Sequence, residues 1–169
     1  MAIVVVGFAG QAVEATGDHR GVELGVNAGF VFLDEDLGGP DGRNQEPTLG
    51  ARLGYVFAPR WDWFLEGLYS DFSTDTFRGE ARMTTARTGF DWMFHQGLSA
   101  EWFLSGGGGY MDIGFDQAED YYSWFASLGV GQKIPLAGPN HLRWELLAEH
   151  TLAETGLLSE DYSSSSDIT

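Results

Sequence analysis

From Gly21 onward, apolar and polar residues alternate with a period of two rather than 3.6, the mark of strands whose two faces meet different surroundings. In the first run Val22, Leu24, Val26, Ala28, Phe30 and Phe32 share one face, and Glu23, Gly25, Asn27, Gly29 and Val31 the other. The second sets Leu49, Ala51, Leu53, Tyr55 and Phe57 against Gly50, Arg52, Gly54 and Val56. The third, 61–69, is apolar on both sides; placing Trp61, Trp63, Leu65 and Tyr69 on the apolar face turns Glu66 and Ser70 to the other. Four more runs follow, with Arg87 and Asp91, then Ser105, then Ser123 and Ser127, then Arg143, Glu145 and Glu149 on their polar faces. No helical period competes. Antiparallel strands are predicted over 20–33, 48–58, 61–71, 80–94, 100–112, 120–134 and 141–152, in sequential order.

The connections sort by length. Long acidic stretches, Asp34 to Glu46, Asp71 to Glu80, Asp112 to Asp120 and Ala153 to the end, alternate with the short turns Ala58-Pro59-Arg60, His95 to Ala100 and Pro135 to Asn140. Outer-membrane barrels alternate in this way, with loops outside and turns in the periplasm. Aromatics on the apolar face fall into two rows. Phe57, Trp61, Trp63, Trp92, Phe94, Trp102 and Trp144 lie near the short turns, and Phe30, Phe32, Tyr69, Tyr110, Tyr122 and Trp124 near the long connections. Between the rows the face is mostly Leu, Val, Ala and Gly, the spacing of two bilayer interfaces around a hydrocarbon layer.

The opposite face then lines the interior. It carries Arg52, Arg87 and Arg143 with Glu23, Glu66, Asp91, Glu145 and Glu149. Unpaired charges in so narrow a lumen are costly, so the arginines are expected to point inward and pair with these carboxylates. A plugged polar core is expected rather than an open pore.

Composition narrows the partners. The 169 residues include 25 acidic and 9 basic side chains, a formal charge of -16, and no cysteine. Disulfides and thiolate–metal sites are excluded, and nucleic acid is a poor partner for so acidic a surface. No apolar run is long enough for a transmembrane helix, which leaves strand-built membrane proteins open. Residues 1–15 include the apolar stretch Ile3-Val4-Val5-Val6-Gly7-Phe8-Ala9-Gly10 and read as a signal peptide cleaved after Ala15. They lack a basic n-region, so the segment reads either as a leader whose start lies further upstream or as a short buried helix or strand. The barrel domain is expected over 16–169.

These features resemble the OmpA-like family of small outer-membrane β-barrels. The resemblance rests on Val22 to Phe32, on Leu49-Gly50-Ala51-Arg52-Leu53-Gly54-Tyr55-Val56-Phe57 leading into Ala58-Pro59-Arg60-Trp61, on Gly106 to Tyr110, and on Leu128-Gly129-Val130-Gly131, and it covers roughly 21–151. It implies an all-β, antiparallel up-and-down transmembrane barrel of the eight-stranded type in the Gram-negative cell envelope. The implied roles are structural, adhesive or, porin-like, weakly permeable, with no catalytic set and no cofactor. Implied partners are outer-membrane lipid and lipopolysaccharide, plus a surface partner the sequence does not name. Family barrels close with an eighth strand ending in an aromatic residue, whereas this chain ends Ser163-Ser164-Ser165-Ser166-Asp167-Ile168-Thr169. The expectation is therefore seven strands, a missing eighth, a stop in the fourth outer loop, and unpaired edges on the first and last strands.

Two other chemistries compete with this reading. Some small barrels modify lipid A, and His150 with Glu154 and Ser159 is the nearest candidate set, but Leu152 stands where a His-x-Ser spacing needs serine. His19 precedes the barrel, and His95 and His141 are expected in turns. Asp34, Glu35, Asp36, Asp112, Asp116, Glu119, Asp120, Glu160 and Asp161 could take divalent cations bridging lipopolysaccharide phosphates, though none matches an EF-hand and a solvated acidic surface is the simpler account. The rival from another class is a soluble, lipocalin-like barrel with its faces inverted around an apolar ligand.

Overall fold

The computed structural model describes residues 10–14, 21–32, 45–74, 79–97, 99–115, 121–136 and 140–155, and all its regular elements are strands. They are β1 (Gly10–Glu14), β2 (Gly21–Phe32), β3 (Gln45–Ala58), β4 (Trp61–Thr74), β5 (Gly79–Gln96), β6 (Glu101–Phe115), β7 (Tyr121–Pro135) and β8 (Asn140–Thr155). No helix among the described residues is long and apolar enough to cross a membrane.

Seven long strands, β2 to β8, run antiparallel and up-and-down, each hydrogen-bonded to its neighbours in sequence, and form a curled sheet. Short turns join them at one end, here called the lower end. Pro59-Arg60 links β3 to β4, and its carbonyls are tied to the next hairpin: Met93 N–H donates to Arg60 O at 2.9 Å and Gln96 Nε2 to Pro59 O at 2.7 Å. Gly97 N–H donates to Ala100 O at 3.0 Å between β5 and β6, and Leu136 N–H to Asn140 O at 2.8 Å between β7 and β8. Bulges interrupt β3 between Val56 and Ala58 and β5 between Met93 and His95, both beside the lower turns, where bulges commonly bend a rim strand. Each bulge inserts a phenylalanine, Phe57 or Phe94, whose ring stands exposed on the outer wall.

The predicted strands are present, and most extend further into the long connections than the alternation indicates. β4 and β5 pair out to Thr74 and Gly79, and Asp71 lies opposite Arg82 with 3.8 Å between carboxylate and guanidinium. Asp71, Ser73, Thr74, Gly79 and Glu80 leave Phe72 isolated there, so a period-two signal fades while backbone pairing continues. His95 and His141, expected in turns, are strand residues at the lower ends of β5 and β8.

The expectation of two unpaired edges is corrected at the lower end of the seam. β1 pairs with β2 from Gly10↔Gly25 to Glu14↔Gly21, and with β8 through Gly10↔His141 and Gln11↔Asn140, so the ring closes through it. These residues, Gly10-Gln11-Ala12-Val13-Glu14, fall inside the stretch that sequence alone left open between a leader and a short buried helix or strand; five residues of mixed polarity are too few for periodicity to decide. The closure is staggered. A row of paired residues runs Leu24, Leu53, Leu65, Thr88, Gly108, Ala126, His150, whereas Gln11, on the other side of Leu24, meets β8 at Asn140, ten residues lower. Such a shear accompanies strands tilted by about 40° to the barrel axis.

The interior has two zones. Charged side chains fill its lower part, while Val31, Leu68, Ala81, Met83, Met111, Ile113, Phe125 and Leu147 pack into an apolar cluster towards the long connections. That upper plug was not foreseen. Several inward glycines let the wall approach this packing. A Cβ at Gly109 would strike the carbonyl of Ala86 and lie 2.6 Å from the Phe125 ring and 2.8 Å from Arg87 Cα. At Gly106, on the outer face, it would meet nothing within 4 Å. Gly109→Ala should therefore destabilise the fold by about 1–3 kcal/mol and Gly106→Ala by no more than about 0.5 kcal/mol, read from urea-unfolding midpoints of the two variants.

Candidate functional site: a charged lumen inside an apolar wall

Because side chains alternate across each strand, one parity of every strand delivers its polar groups to the same narrow space. β2 supplies Glu23 and Asn27, β3 Arg52, β4 Asp62 and Glu66, β5 Arg87 and Asp91, β7 Lys133, and β8 Arg143, Glu145 and Glu149. All point inward, and all but Glu23, which is half-buried, are buried.

Asp91 is the hub, with no exposed surface. Arg52 Nη2 donates to its Oδ2 at 2.7 Å, and Arg143 Nη1 reaches the same oxygen at 2.6 Å while Nη2 lies 3.3 Å from Oδ1. Arg143 Nη2 also donates to Glu145 Oε2 at 2.9 Å, and that oxygen accepts from Arg87 Nη2 at 3.1 Å. Arg87 Nε completes the chain at Glu66 Oε2, 2.5 Å away, and Asn27 Nδ2 donates to Glu66 Oε1. The network thus bridges β2, β3, β4, β5 and β8 across the lumen. Below it, Lys133 Nζ holds both Glu23 oxygens at 2.9 Å and Asp62 Oδ2 at 2.5 Å.

Two buried rings support the guanidinium groups. Arg52 sits 3.9 Å over the Phe64 ring, with Arg87 5.0 Å from the same centroid, and Arg143 lies 3.7 Å over Phe103. A flat, weakly hydrated cation over an aromatic face loses less on leaving water than a bare one, which gives Phe64 and Phe103 a role in an otherwise charged layer.

The eight interior residues singled out in the sequence, Glu23, Arg52, Glu66, Arg87, Asp91, Arg143, Glu145 and Glu149, are brought into this one lumen. Glu149 lies near the network without joining its hydrogen bonds; its Oε1 has no partner among the described residues. Sequence reading missed Lys133, Asp62 and Asn27. The signal was available, since Lys133 continues the inward parity of Gly129 and Gly131, and Asp62 that of Glu66.

The outer wall is apolar. Phe30, Phe57, Trp61, Tyr69, Trp92, Phe94, Tyr122 and Trp124 are exposed, and Trp63, Trp102, Tyr110 and Trp144 half-buried against neighbours on the same face. The side chain of Phe32 lies outside the described residues. Rings touch in groups at both ends: Trp61 stacks on Trp92 at 6.4 Å and Trp102 meets Trp144 edge-on at 5.6 Å below, while Tyr110 lies 6.2 Å from Tyr122 and 5.3 Å from Trp124 above.

Other candidate chemistry stays dispersed. His150 is exposed on the outer wall opposite Ala126, while Ser159 and the side chain of Glu154 lie outside the described residues. Asp112 is a β6 residue, and the remaining acidic candidates, Asp34, Glu35, Asp36, Asp116, Glu119, Asp120, Glu160 and Asp161, also lie outside them. Among the described residues no three metal-ligating side chains converge. Gly106 to Gly109 sit in mid-strand in β6. No protein-family model matches this chain, and no curated protein matches it.

Asp91 carries the sharpest stability test of the lumen. Asp91→Ala leaves the buried Arg52 and Arg143 without their shared carboxylate and should cost about 3–5 kcal/mol. A double-mutant cycle with Arg143→Met, read by denaturant unfolding, should return a coupling of about 0.5–3 kcal/mol.

Proposed function

We propose that this chain is a transmembrane β-barrel of the eight-stranded, OmpA-like kind, residing in the outer membrane and acting as a structural element or surface-interaction platform, without catalysis. Its lumen is a plug, and its partners are outer-membrane lipid and lipopolysaccharide, with the long acidic connections presented for contact on the outside.

One observation carries this reading: the molecule is inverted relative to a soluble protein. Among the described residues, twenty-one large apolar or aromatic side chains are exposed, including Leu24, Val26, Leu49, Leu65, Leu128 and Leu152, while six carboxylates and four cations are turned inward. A soluble monomer rarely exposes a continuous apolar patch beyond a few hundred Å². A bilayer reverses the cost, because the wall then meets hydrocarbon and the charges meet each other. The aromatic rows have the right separation as well. Trp61 and Tyr69, like Trp102 and Tyr110, are eight residues apart on one strand, about 20 Å of height at roughly 3.3 Å per residue and about 40° of tilt. An outer-membrane barrel carries an apolar band about 25 Å tall between its girdles.

The soluble, lipocalin-like rival needs leucines in the lumen and charges outside, the reverse of this arrangement. Two arrangements also argue against a wide pore: the lower lumen is crossed by guanidinium–carboxylate bonds and the upper lumen is packed with methionine, phenylalanine and aliphatic side chains.

Arginine scanning of the wall tests the reading. Leu53→Arg, Leu104→Arg, Ala126→Arg and Leu146→Arg should each cost about 2–4 kcal/mol in a lipid-refolding assay, with the penalty falling towards zero at Trp61 and Tyr69. The unboiled protein should migrate differently from the boiled one and fractionate with outer membranes. A penalty that does not vary with position along the strands would mean the wall does not meet hydrocarbon.

A further inference from the structure

The charges of the lumen do not cancel, and the surplus has an address. Arg52, Arg87 and Arg143 answer Glu66, Asp91 and Glu145 in the central network. Below it Lys133 holds Glu23 and Asp62, and Glu23 is only half-buried, so the extra carboxylate there keeps contact with the surroundings. The two other described cations lie outside the lumen, Arg60 exposed in the lower turn and Arg82 beside Asp71 on the wall. Glu149 is left over: it points inward, is buried, and has no cation bonded to it among the described residues. A carboxylate out of water with no counter-charge is among the costliest groups a fold can hold.

Its surroundings are lined with oxygen. Glu149 Oε1 has no hydrogen-bond partner among the described residues, and the same is true of the hydroxyls of Ser127, Thr85 and Thr48. All four residues are 2–7 % exposed. Ser127 is the direct cross-strand partner of Glu149. Thr85 shares a row with Met111 and Ser123. In strands tilted by about 40°, a common level lies a little over one residue lower on each successive strand, which brings Thr85 on β5 to the height of Glu149 on β8. The same count from β3 through β4 brings Thr48 to that height. Four strands thus turn one carboxylate and three hydroxyls into one narrow storey of the lumen, at the base of the apolar plug that Leu147 and Phe125 help to build.

No two of these oxygens bond each other. A protonated carboxyl would be satisfied by donating directly to a neighbouring hydroxyl, whereas oxygens set apart around a shared space suit a species that takes lone pairs from several sides. Water does this without changing the charge; a cation does it and supplies the charge that Glu149 lacks. The deficit is a single charge and the donor set holds a single carboxylate, which fits a monovalent ion, since Ca²⁺ and Mg²⁺ sites gather more carboxylates or waters. Among the described residues no three metal-ligating acids or histidines converge, in keeping with that distinction. We propose that Glu149, Ser127, Thr85 and Thr48 form a binding site for a dehydrated monovalent cation of the sodium or potassium class. The ion neutralises Glu149 and ties β3, β5, β7 and β8 together above the guanidinium bonds. The site rests on burial, register and charge, and stands apart from the membrane reading.

The folded full chain is unfolded with urea near neutral pH, at constant ionic strength, while choline chloride is replaced stepwise by NaCl or KCl. At least one of the small cations should raise the unfolding midpoint saturably, and choline should not. Glu149→Gln removes the charge at nearly constant shape and should abolish the cation dependence. Ser127→Ala and Thr85→Ala keep the carboxylate and should each weaken the apparent cation affinity by about tenfold, the scale of one lost oxygen contact. Asp71→Asn, on the exposed outer wall, should leave that affinity unchanged. Thallium(I), a heavy substitute for potassium, gives a readout that does not depend on unfolding: its anomalous scattering in crystals should place it against Glu149. Equal stabilisation by choline would reduce the effect to screening and overturn the proposal, as would a cation dependence that survives in Glu149→Gln. A midpoint that ignores both small cations and follows pH alone through Glu149 would give the place to a proton and overturn it too. Where Glu149→Gln does not fold, the hydroxyl variants decide, because unchanged cation affinity in both would remove the site.

Discussion

Asp91 and the three arginines around it show the constraint on which the architecture turns: a ring of strands this small encloses a space that side chains must fill. A carboxylate with no exposed surface is tolerable only if cations reach it, and here Arg52 and Arg143 arrive from strands on either side of β5 while Arg87 extends the chain to Glu145 and Glu66. Each long side chain needs unoccupied volume beside it. Inward glycines such as Gly54, Gly89, Gly109 and Gly129 provide it, and a Cβ at Gly129 would come within 2.6 Å of a Glu145 oxygen. Charge pairing, glycine placement and the curvature of the wall are thus one packing problem.

The division of the lumen follows from the same requirement. Buried ion pairs are not intrinsically more stabilising than apolar packing of equal volume, since desolvation offsets much of the Coulomb gain. The upper lumen accordingly uses Met83, Met111, Ile113, Phe125 and Leu147, and the charges concentrate lower down. Geometry distinguishes the two zones. Apolar packing fills space without fixing direction, whereas a guanidinium bridging two carboxylates ties particular strands together. Arg143 bonded to Asp91 joins β8 to β5, three strands away around the ring, and Lys133 bonded to Glu23 and Asp62 joins β7 to β2 and β4. Such cross-lumen bonds oppose register slips that the glycine-rich β6, with Gly106 to Gly109, would otherwise permit.

Most of this was legible in the sequence because the relevant period is two and each face is chemically uniform. The assignment of Glu66 and Ser70 to the inside of an ambiguous apolar run followed from parity alone, and both are buried. What was not legible has physical reasons. Phe64 and Phe103 read as breaks in a polar face, yet they are surfaces for Arg52 and Arg143, a relation that exists only once residues 12 and 40 positions apart in sequence are brought together inside the barrel. Lys133 lies inside the predicted strand 120–134 at inward parity, but it stands at the strand's lower end, beyond the glycines and serines that mark the polar face, and parity there was not followed. The apolar upper plug is assembled from single inward residues of several strands, none of which stands out in its own segment. β1, only five residues long, is too short for periodicity to decide.

The inverted distribution of polarity also bears on how such a chain can be built at all. A sheet with leucine outside and arginine inside gains little from collapse in water, because its apolar wall stays exposed there and its charges must leave solvent before their partners arrive. On the membrane reading proposed above, the favourable terms appear together when hydrocarbon covers the wall and the ring closes around the charges. Strand pairing, lumen pairing and lipid contact are then mutually dependent, and the seam is where that dependence concentrates: Arg143 and Glu145 stand on β8, the strand at the seam, and they bond to Asp91 on β5 and Arg87 across the lumen. An open edge there would expose the central charge network to its surroundings, so closure of the backbone and pairing of the lumen charges are the same requirement seen from two sides.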